Sequence, residues 1–402
     1  MAVLRTTKPL RRELAATLPE RPFTITFWDG TKLPATNGGG PTLHVRSPAA
    51  IAHALRAPGQ LGIGRAYVSG AIEVDDIDEA MTAILNYKAP PIDRAAQLRL
   101  ALAAARAMGP VKPPPVPASE LVPRGRRHSI ERDKRSVTHH YDVSNDFFAL
   151  WLDRSMTYSC AFFSRDGSSL EAAQSAKLDL VCSKLALEQG ERMLDVGCGW
   201  GSLAIHAARE YGVSVTGITL SEPQAALARR RAAEAGVGDR VDFRVMDYRE
   251  LTDEPFDKIA SIGMVEHVGS VQIDEYMHTL HRLLKSGGQL LNHGIARLRL
   301  GDPEAGPFSE RYVFPDAAPL HLSRIQTAIE RAGLETHHVE GFREDYAETL
   351  RHWARRLDEH HAEGERLVGP ERMRIWRVYL RAARNNFVSG FTSVYQVRSS
   401  KP

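Results

Sequence analysis

The chain reads as an α/β protein whose parallel sheet is preceded by a small α+β unit, and three observations carry that expectation. Its 402 residues exceed one ordinary domain. From Met193 onward, short apolar strand candidates alternate with helical stretches, the pattern of βαβ units. Ahead of them, strands and helices are set apart by a basic, proline-rich connector. Hydrophobic residues at 43% and charged residues at 25% suit a soluble protein with a real core rather than a disordered one. Apolar runs stop well short of the roughly 18 residues that a membrane helix needs.

Taken in order, Arg11, Arg12 and Glu13 interrupt any apolar stretch near the start, so no secretory signal is expected and the location is read as cytoplasmic. Phe23–Trp28 alternates in the manner of a strand and runs into the turn signal Asp29-Gly30. Thr42–Val45 reads as a second strand, and Ala49–Leu55 and Ile77–Leu85 as helices. Between the helices, Gly62–Gly70 is read as a glycine-punctuated segment. Residues 1–110 carry no catalytic constellation and form the small N-terminal unit.

Residues 111–135 are the connector. Pro113, Pro114, Pro115, Pro117 and Pro123 favour extended backbone, and Lys112, Arg124, Arg126, Arg127, Arg132, Lys134 and Arg135 outnumber Glu120, Glu131 and Asp133. Such a stretch attracts an anionic membrane surface; with no nucleic-acid-binding motif beside it, nucleic acid is not expected as a partner. The overall charge of +3 says little by comparison.

In residues 136–402 the strand candidates are Met193-Leu194, Val213–Ile218, Val241–Val245, Ile259–Ile262 and Gln289–Leu291. Ser202–Glu210 and Pro223–Ala235 are the intervening helices, the second capped by Gly236. The sharpest local signal is the turn Gly197-Cys-Gly199-Trp-Gly201 between the first of these strands and its helix. Glycines there allow close backbone approach to a ligand, and the helix start offers free N–H groups. A dinucleotide site would want an acid at the end of the next strand. That strand ends Gly217-Ile-Thr219-Leu220-Ser221, with Glu222 slightly late, whereas Asp247-Tyr248 after the following strand suits an adenine base.

These segments resemble the S-adenosylmethionine site of class I methyltransferases. Within those the chain resembles the family of cyclopropane-fatty-acyl-phospholipid and mycolic acid cyclopropane synthases. Further matching stretches are His139–Phe147, Met156–Phe162, Met264–Gly269, Asn292–Ile295, Arg311–Pro315 and Glu344–Leu350. The resemblance implies a Rossmann-like sheet with helical lid insertions in residues 136–402, a lipid-associated unit in residues 1–110, and S-adenosylmethionine as methyl donor. It implies cofactor contacts from Tyr158, Ser159, Gly197, Gly199, Gly201, Thr219, Leu220, Gln224, Asp247 and Tyr248. It also implies a bound bicarbonate that serves as base, held by Cys160, Glu266, His293, Tyr346 and the main chain of Ile295.

Those residue types make chemical sense, since His293 and Tyr346 donate hydrogen bonds to an oxyanion and Glu266 accepts a proton or fixes a histidine tautomer. Cys182 and Cys198 are read as packing residues. Three cysteines without CxxC spacing suggest neither a disulfide framework nor a zinc site, so no metal is expected. Trp353, Leu357, Trp376, Tyr379 and Leu380 suggest amphipathic helices over an acyl tunnel. The resemblance thus implies methylene transfer to the cis double bond of an unsaturated phospholipid by a peripheral membrane enzyme that self-associates as a dimer. The stretch Asn385–Gln396 departs from the best-known cyclopropane synthases, which keeps open the alternative of a 10-methylene or methyl-branched product.

Overall fold

In the computed structural model, residues 6–88, 90–109, 114–121, 129, 132, 144–163, 168–302 and 306–402 are described. Most of the basic connector, including Arg124, Arg126 and Arg127, lies outside them, as do residues 139–143. The chain divides into two compact units. One gathers Met1–Leu121 with Gly306–Tyr312 and Gly369–Asn385, and the other holds Val122–Ala305, Val313–Val368 and Asn386–Pro402. Two late segments therefore fold with the N-terminal region, which no cut at a linker would assign to it.

The first unit has a four-stranded sheet ordered β2-β1-β3-β4, where β1 is Thr24–Thr26, β2 Lys32–Leu33, β3 Thr42–Val45 and β4 Ile72–Val74. Gly30, at φ +78°, turns β1 into the antiparallel β2. The neighbouring Asp29 would be raised by burial, but hydrogen bonds from Thr31 and Thr7 outweigh this and hold it at about 2. Leu10, Phe23, Ile25, Phe27 and Leu33 form the core with Ala104 and Ala107. Here the structure departs from expectation at Gly62–Gly70, because a helix, Gln60–Val68, runs through most of it. These glycines serve approach rather than interruption. A Cβ on Gly62 would sit 2.2 Å from the Ala57 carbonyl oxygen, and one on Gly64 would sit 2.3 Å from the Phe308 ring.

The second unit is built on a seven-stranded sheet ordered β10-β11-β9-β8-β5-β6-β7. Its strands are β5 Arg192–Val196, β6 Ser214–Thr219, β7 Val241–Val245, β8 Phe256–Ile262, β9 Leu284–Arg297, β10 Glu335–Gly341 and β11 Thr392–Ser400. Strands β5 to β9 are parallel to their neighbours in this group, while β11 runs antiparallel to both β9 and β10. Period-two alternation sends Leu194, Ile259 and Leu290 into the core on one face and Met193, Ala260 and Leu291 into the core on the other.

The helix expected at Ser202–Glu210 is α-helical over Ser202–His206 and becomes a π turn over Ala207–Tyr211. The next helix, Glu222–Glu234, starts at Ser221, whose hydroxyl accepts the Gln224 N–H, and ends at Gly236 with φ +71°. No helix among the described residues is long and apolar enough to cross a membrane.

Candidate active site

Ligands of an open α/β sheet bind beyond the carboxyl ends of its strands, and Gly197, Gly199, Gly201, Thr219, Leu220, Asp247 and Tyr248 lie at or just past the ends of β5, β6 and β7. After β5 the chain turns through Gly197, Gly199 and Gly201, all with positive φ. Gly201 is closed in, since a Cβ there would lie 2.6 Å from the Phe243 ring. Among the described residues nothing lies within 4 Å of a Cβ placed on Gly199, which leaves room there for a ligand. At the end of β6, Thr219 Oγ1 donates to Gln224 Oε1 at 2.8 Å and accepts the Ser221 N–H at 3.2 Å, which folds Leu220 into a tight corner.

Beyond β7, Asp247 is buried and caps the short 3-10 turn Tyr248–Glu250. Both of its carboxylate oxygens receive the Arg249 guanidinium at 2.7 Å. Tyr248 packs edge-on to Tyr276 with centroids 4.9 Å apart.

Tyr158 stands in an aromatic group with Phe148, Trp151 and Trp353, centroids 5.2 to 5.6 Å from its own. The segment that carries it is pinned from the helix Leu170–Leu185. Gln174 Nε2 donates to the carbonyls of Thr157 and Ser159 at 3.3 and 2.9 Å, and Lys177 Nζ donates to Ser159 Oγ at 2.8 Å. Lys177 and Asp195 are both buried; burial pushes the lysine down and the aspartate up, and each opposes the other's shift.

The expected anion ligands come from separate segments, and each is tied to Phe342 or to β9. Cys160 Sγ points to the Phe342 carbonyl oxygen at 3.7 Å, and burial pushes its thiol well above the ordinary range. The Phe342 ring stacks on His293, centroids 6.4 Å apart and 13° from parallel. One helical turn on, Tyr346 N–H donates to the same Phe342 carbonyl at 3.0 Å, and its half-buried ring packs on Phe387 and Trp353.

Glu266 enters the first turn of the helix Val265–Leu283, and its carboxyl accepts the Ile295 backbone N–H. Gly294 makes this approach possible, because a Cβ there would lie 2.1 Å from Val265 and 3.1 Å from Glu266 Oε2. Burial raises Glu266 to about 7. Burial, with Lys177 and Lys184 adding to it, lowers His293 to about 3 and keeps it neutral. Among the described residues, Glu266 Oε2 and His293 Nε2 are buried without a hydrogen-bond partner, the kind of orphaned pair that a small polar ligand would satisfy.

Sequence reasoning missed Phe342, Gln174, Lys177 and Gln396, whose Nε2 lies 3.1 Å from His293 Nδ1. A signal existed for two of them: Gln174 and Lys177 fall on the buried stripe of Leu170, Ala173, Leu178 and Val181, where polar side chains need a reason. Cys182 and Cys198 are buried, as packing residues would be.

A sheet of this order is the fold of the class I methyltransferases. Within that class the chain belongs to the mycolic acid cyclopropane synthetase family, whose model matches residues 128–397. A Pseudomonas putida protein named "Probable fatty acid methyltransferase" is 38% identical over 387 residues, which cover 95% of this chain and 92% of that one. The cyclopropane-fatty-acyl-phospholipid synthase of Escherichia coli is 33% identical over 372 residues, 91% of this chain and 90% of that one. The solved structure of mycolic acid cyclopropane synthase CmaA1 with SAH and CTAB is 33% identical at a TM-score of 0.64, and covers 67% of this chain and 98% of its own.

Proposed function

We propose that this chain transfers a methylene group from S-adenosylmethionine to the cis double bond of an unsaturated phospholipid acyl chain, giving a cyclopropane. When bound, S-adenosylmethionine supplies an electrophilic methyl and bicarbonate a proton acceptor. Gly197, Gly199, Gly201, Thr219, Leu220, Gln224, Asp247 and Tyr248 would hold the cofactor with Tyr158 and Ser159. Cys160, Glu266, His293, Tyr346 and the Ile295 main chain would hold the anion.

An alkene is a weak nucleophile, so alignment carries much of the rate. The aromatic group around Tyr158 excludes water and offers electron-rich ring faces to positive charge left on the acyl chain. The observation that carries the reading is that Glu266 Oε2 and His293 Nε2 are both buried without a hydrogen-bond partner among the described residues, with the Ile295 backbone N–H at the Glu266 carboxyl. A site that only moved a methyl to a basic heteroatom would have no need of them.

His293→Ala and Glu266→Gln are expected to retain cofactor binding, measured by calorimetry, and to lose turnover on oleoyl phospholipid vesicles. Full activity in both would overturn the assignment. A second reading is favoured by the name of the Pseudomonas putida relative: the same cation first undergoes a 1,2-hydride shift and its methyl then loses the proton, which leaves a 10-methylene chain that a separate hydride donor would reduce to a methyl branch. Proton NMR of the product distinguishes ring from exocyclic methylene hydrogens.

The membrane surface enters through the basic connector. Charge reversal at Arg124, Arg126 and Arg127 is expected to weaken binding to anionic vesicles in a salt-dependent way, and equal binding would remove that partner.

A further inference from the structure

The stretch that departs from the expected pattern, Asn385–Gln396, ends on a residue with a definite place in the site. Glu340, Gln396 and His293 are register partners across β10, β11 and β9, so their side chains stand in one row on one face of the sheet. Lys184, from the last turn of the helix Leu170–Leu185, reaches this row. Its Nζ pairs with the Glu340 carboxylate, lies 2.6 Å from Gln396 Oε1, and sits over the Phe342 ring at 4.9 Å. Phe342 in turn stacks on His293.

An ammonium has only donors, so the amide atom it meets must be the oxygen. That leaves the Gln396 NH2 facing His293 Nδ1 at 3.1 Å. An amide NH2 only donates in that geometry, so Nδ1 must present its lone pair. The proton of a neutral imidazole is then on Nε2, the buried atom without a partner among the described residues.

We propose that Lys184 and Gln396 are positioning residues that lock His293 in its Nε2–H tautomer, so that it faces the pocket as a hydrogen-bond donor and cannot take a proton there. The lock is a property of the resting protein. Its consequence, that His293 binds an oxyanion while the proton goes to another acceptor, rests on the anion-site reading above. The charged groups around the ring are Lys177 and Lys184, with Glu340 beyond Lys184 and Glu266 on the helix that follows β8, the strand beside that of His293. Both lysines disfavour a second proton on the ring.

The test is long-range proton–nitrogen NMR on the full chain labelled with 15N-histidine, with His293 assigned by the signals lost in His293→Gln. The expected result is an Nε2–H pattern with unprotonated Nδ1, unchanged from mildly acidic to mildly alkaline pH. An Nδ1–H pattern in the wild type, or an imidazolium at neutral pH, overturns the proposal. Gln396→Glu places an acceptor at Nδ1 and is expected to switch the pattern to Nδ1–H; an unchanged pattern overturns the proposal. Lys184→Met frees the amide to rotate and is expected to give mixed tautomers, with Lys184→Arg restoring the wild-type pattern. If Gln396→Glu switches the tautomer and leaves turnover intact, the lock stands and the anion-site reading fails. Loss of turnover at unchanged cofactor affinity supports both.

Discussion

The carboxyl group of Glu266 accepts the backbone N–H of Ile295, so the first turn of one helix is tied to the strand that also carries His293. Burial outweighs the two main-chain hydrogen bonds, from its own N–H and from that of Ile295, and the carboxyl is raised from 4.5 to about 7. Because the folded group holds its proton to a higher pH than the unfolded chain does, this contribution to stability is fully present below pH 4.5 and is lost as the pH rises to about 7. The loss amounts to about 3 kcal/mol. Glu266→Gln, which cannot ionise, is expected to be more stable than the wild type above neutrality, with the difference vanishing in acid. Urea denaturation at a series of pH values checks this, and a pH-independent difference would contradict it.

The Thr219–Gln224 bond sets the corner at the end of β6 without touching the proton-handling residues. Gln224→Ala and Thr219→Val are expected to raise the KM for S-adenosylmethionine about tenfold, the equivalent of ~1.4 kcal/mol, and to leave kcat nearly unchanged. A fall in kcat at unaltered KM would place the corner in the chemical step instead.

The glycines of the turn separate packing from ligand room. Gly201→Ala brings a Cβ to 2.6 Å from the Phe243 ring at a φ of +81°, and is expected to cost about 2–4 kcal/mol in stability. Gly199→Ala pays only the backbone strain, about 1–2 kcal/mol, yet fills the open space. Thermal unfolding should fall most for Gly201→Ala, while calorimetry should find the greater relative loss of cofactor affinity in Gly199→Ala.

In the first unit, Arg65 meets Glu120 through two bonds of 2.7 Å, and Tyr312 OH donates to the same carboxylate at 2.9 Å. Burial raises Glu120, but these donors outweigh it and hold the carboxyl below its usual value. Its contribution to stability therefore has the opposite sign to that of Glu266: it is present above the unfolded pKa and is lost as the pH falls. Glu120→Ala, which leaves a mostly buried guanidinium unpaired, is expected to cost about 3–5 kcal/mol. Tyr312→Phe is expected to cost about 1.5–3 kcal/mol. Equal losses in the two variants, measured by denaturant melts, would show that the charge pair carries little.

Strands β5 to β9 were legible because a buried parallel strand must be apolar on both faces. Strands β10 and β11 were not. Glu335–Gly341 carries His337, His338 and Glu340 at a sheet edge, and Thr392–Ser400 mixes polar and apolar residues, so neither shows the continuous apolar run that marked the others. The helix through Gly62 and Gly64 was missed because glycine normally interrupts helices; contact with a neighbouring backbone and with Phe308 gave these two another purpose.

By itself the sequence determined which residue types stand at the ends of the parallel strands, since periodicity places the strands and the glycine turn places the cofactor side. Tertiary structure alone decided how those residues act. Lys184 and Gln396 are 212 positions apart, and Gln396 and His293 are 103 apart. Only strand register brings them into one row, and only burial takes enough water away for Glu266 to rise and His293 to fall. Chemistry of that kind depends on desolvation and donor geometry, which no local pattern of residues encodes.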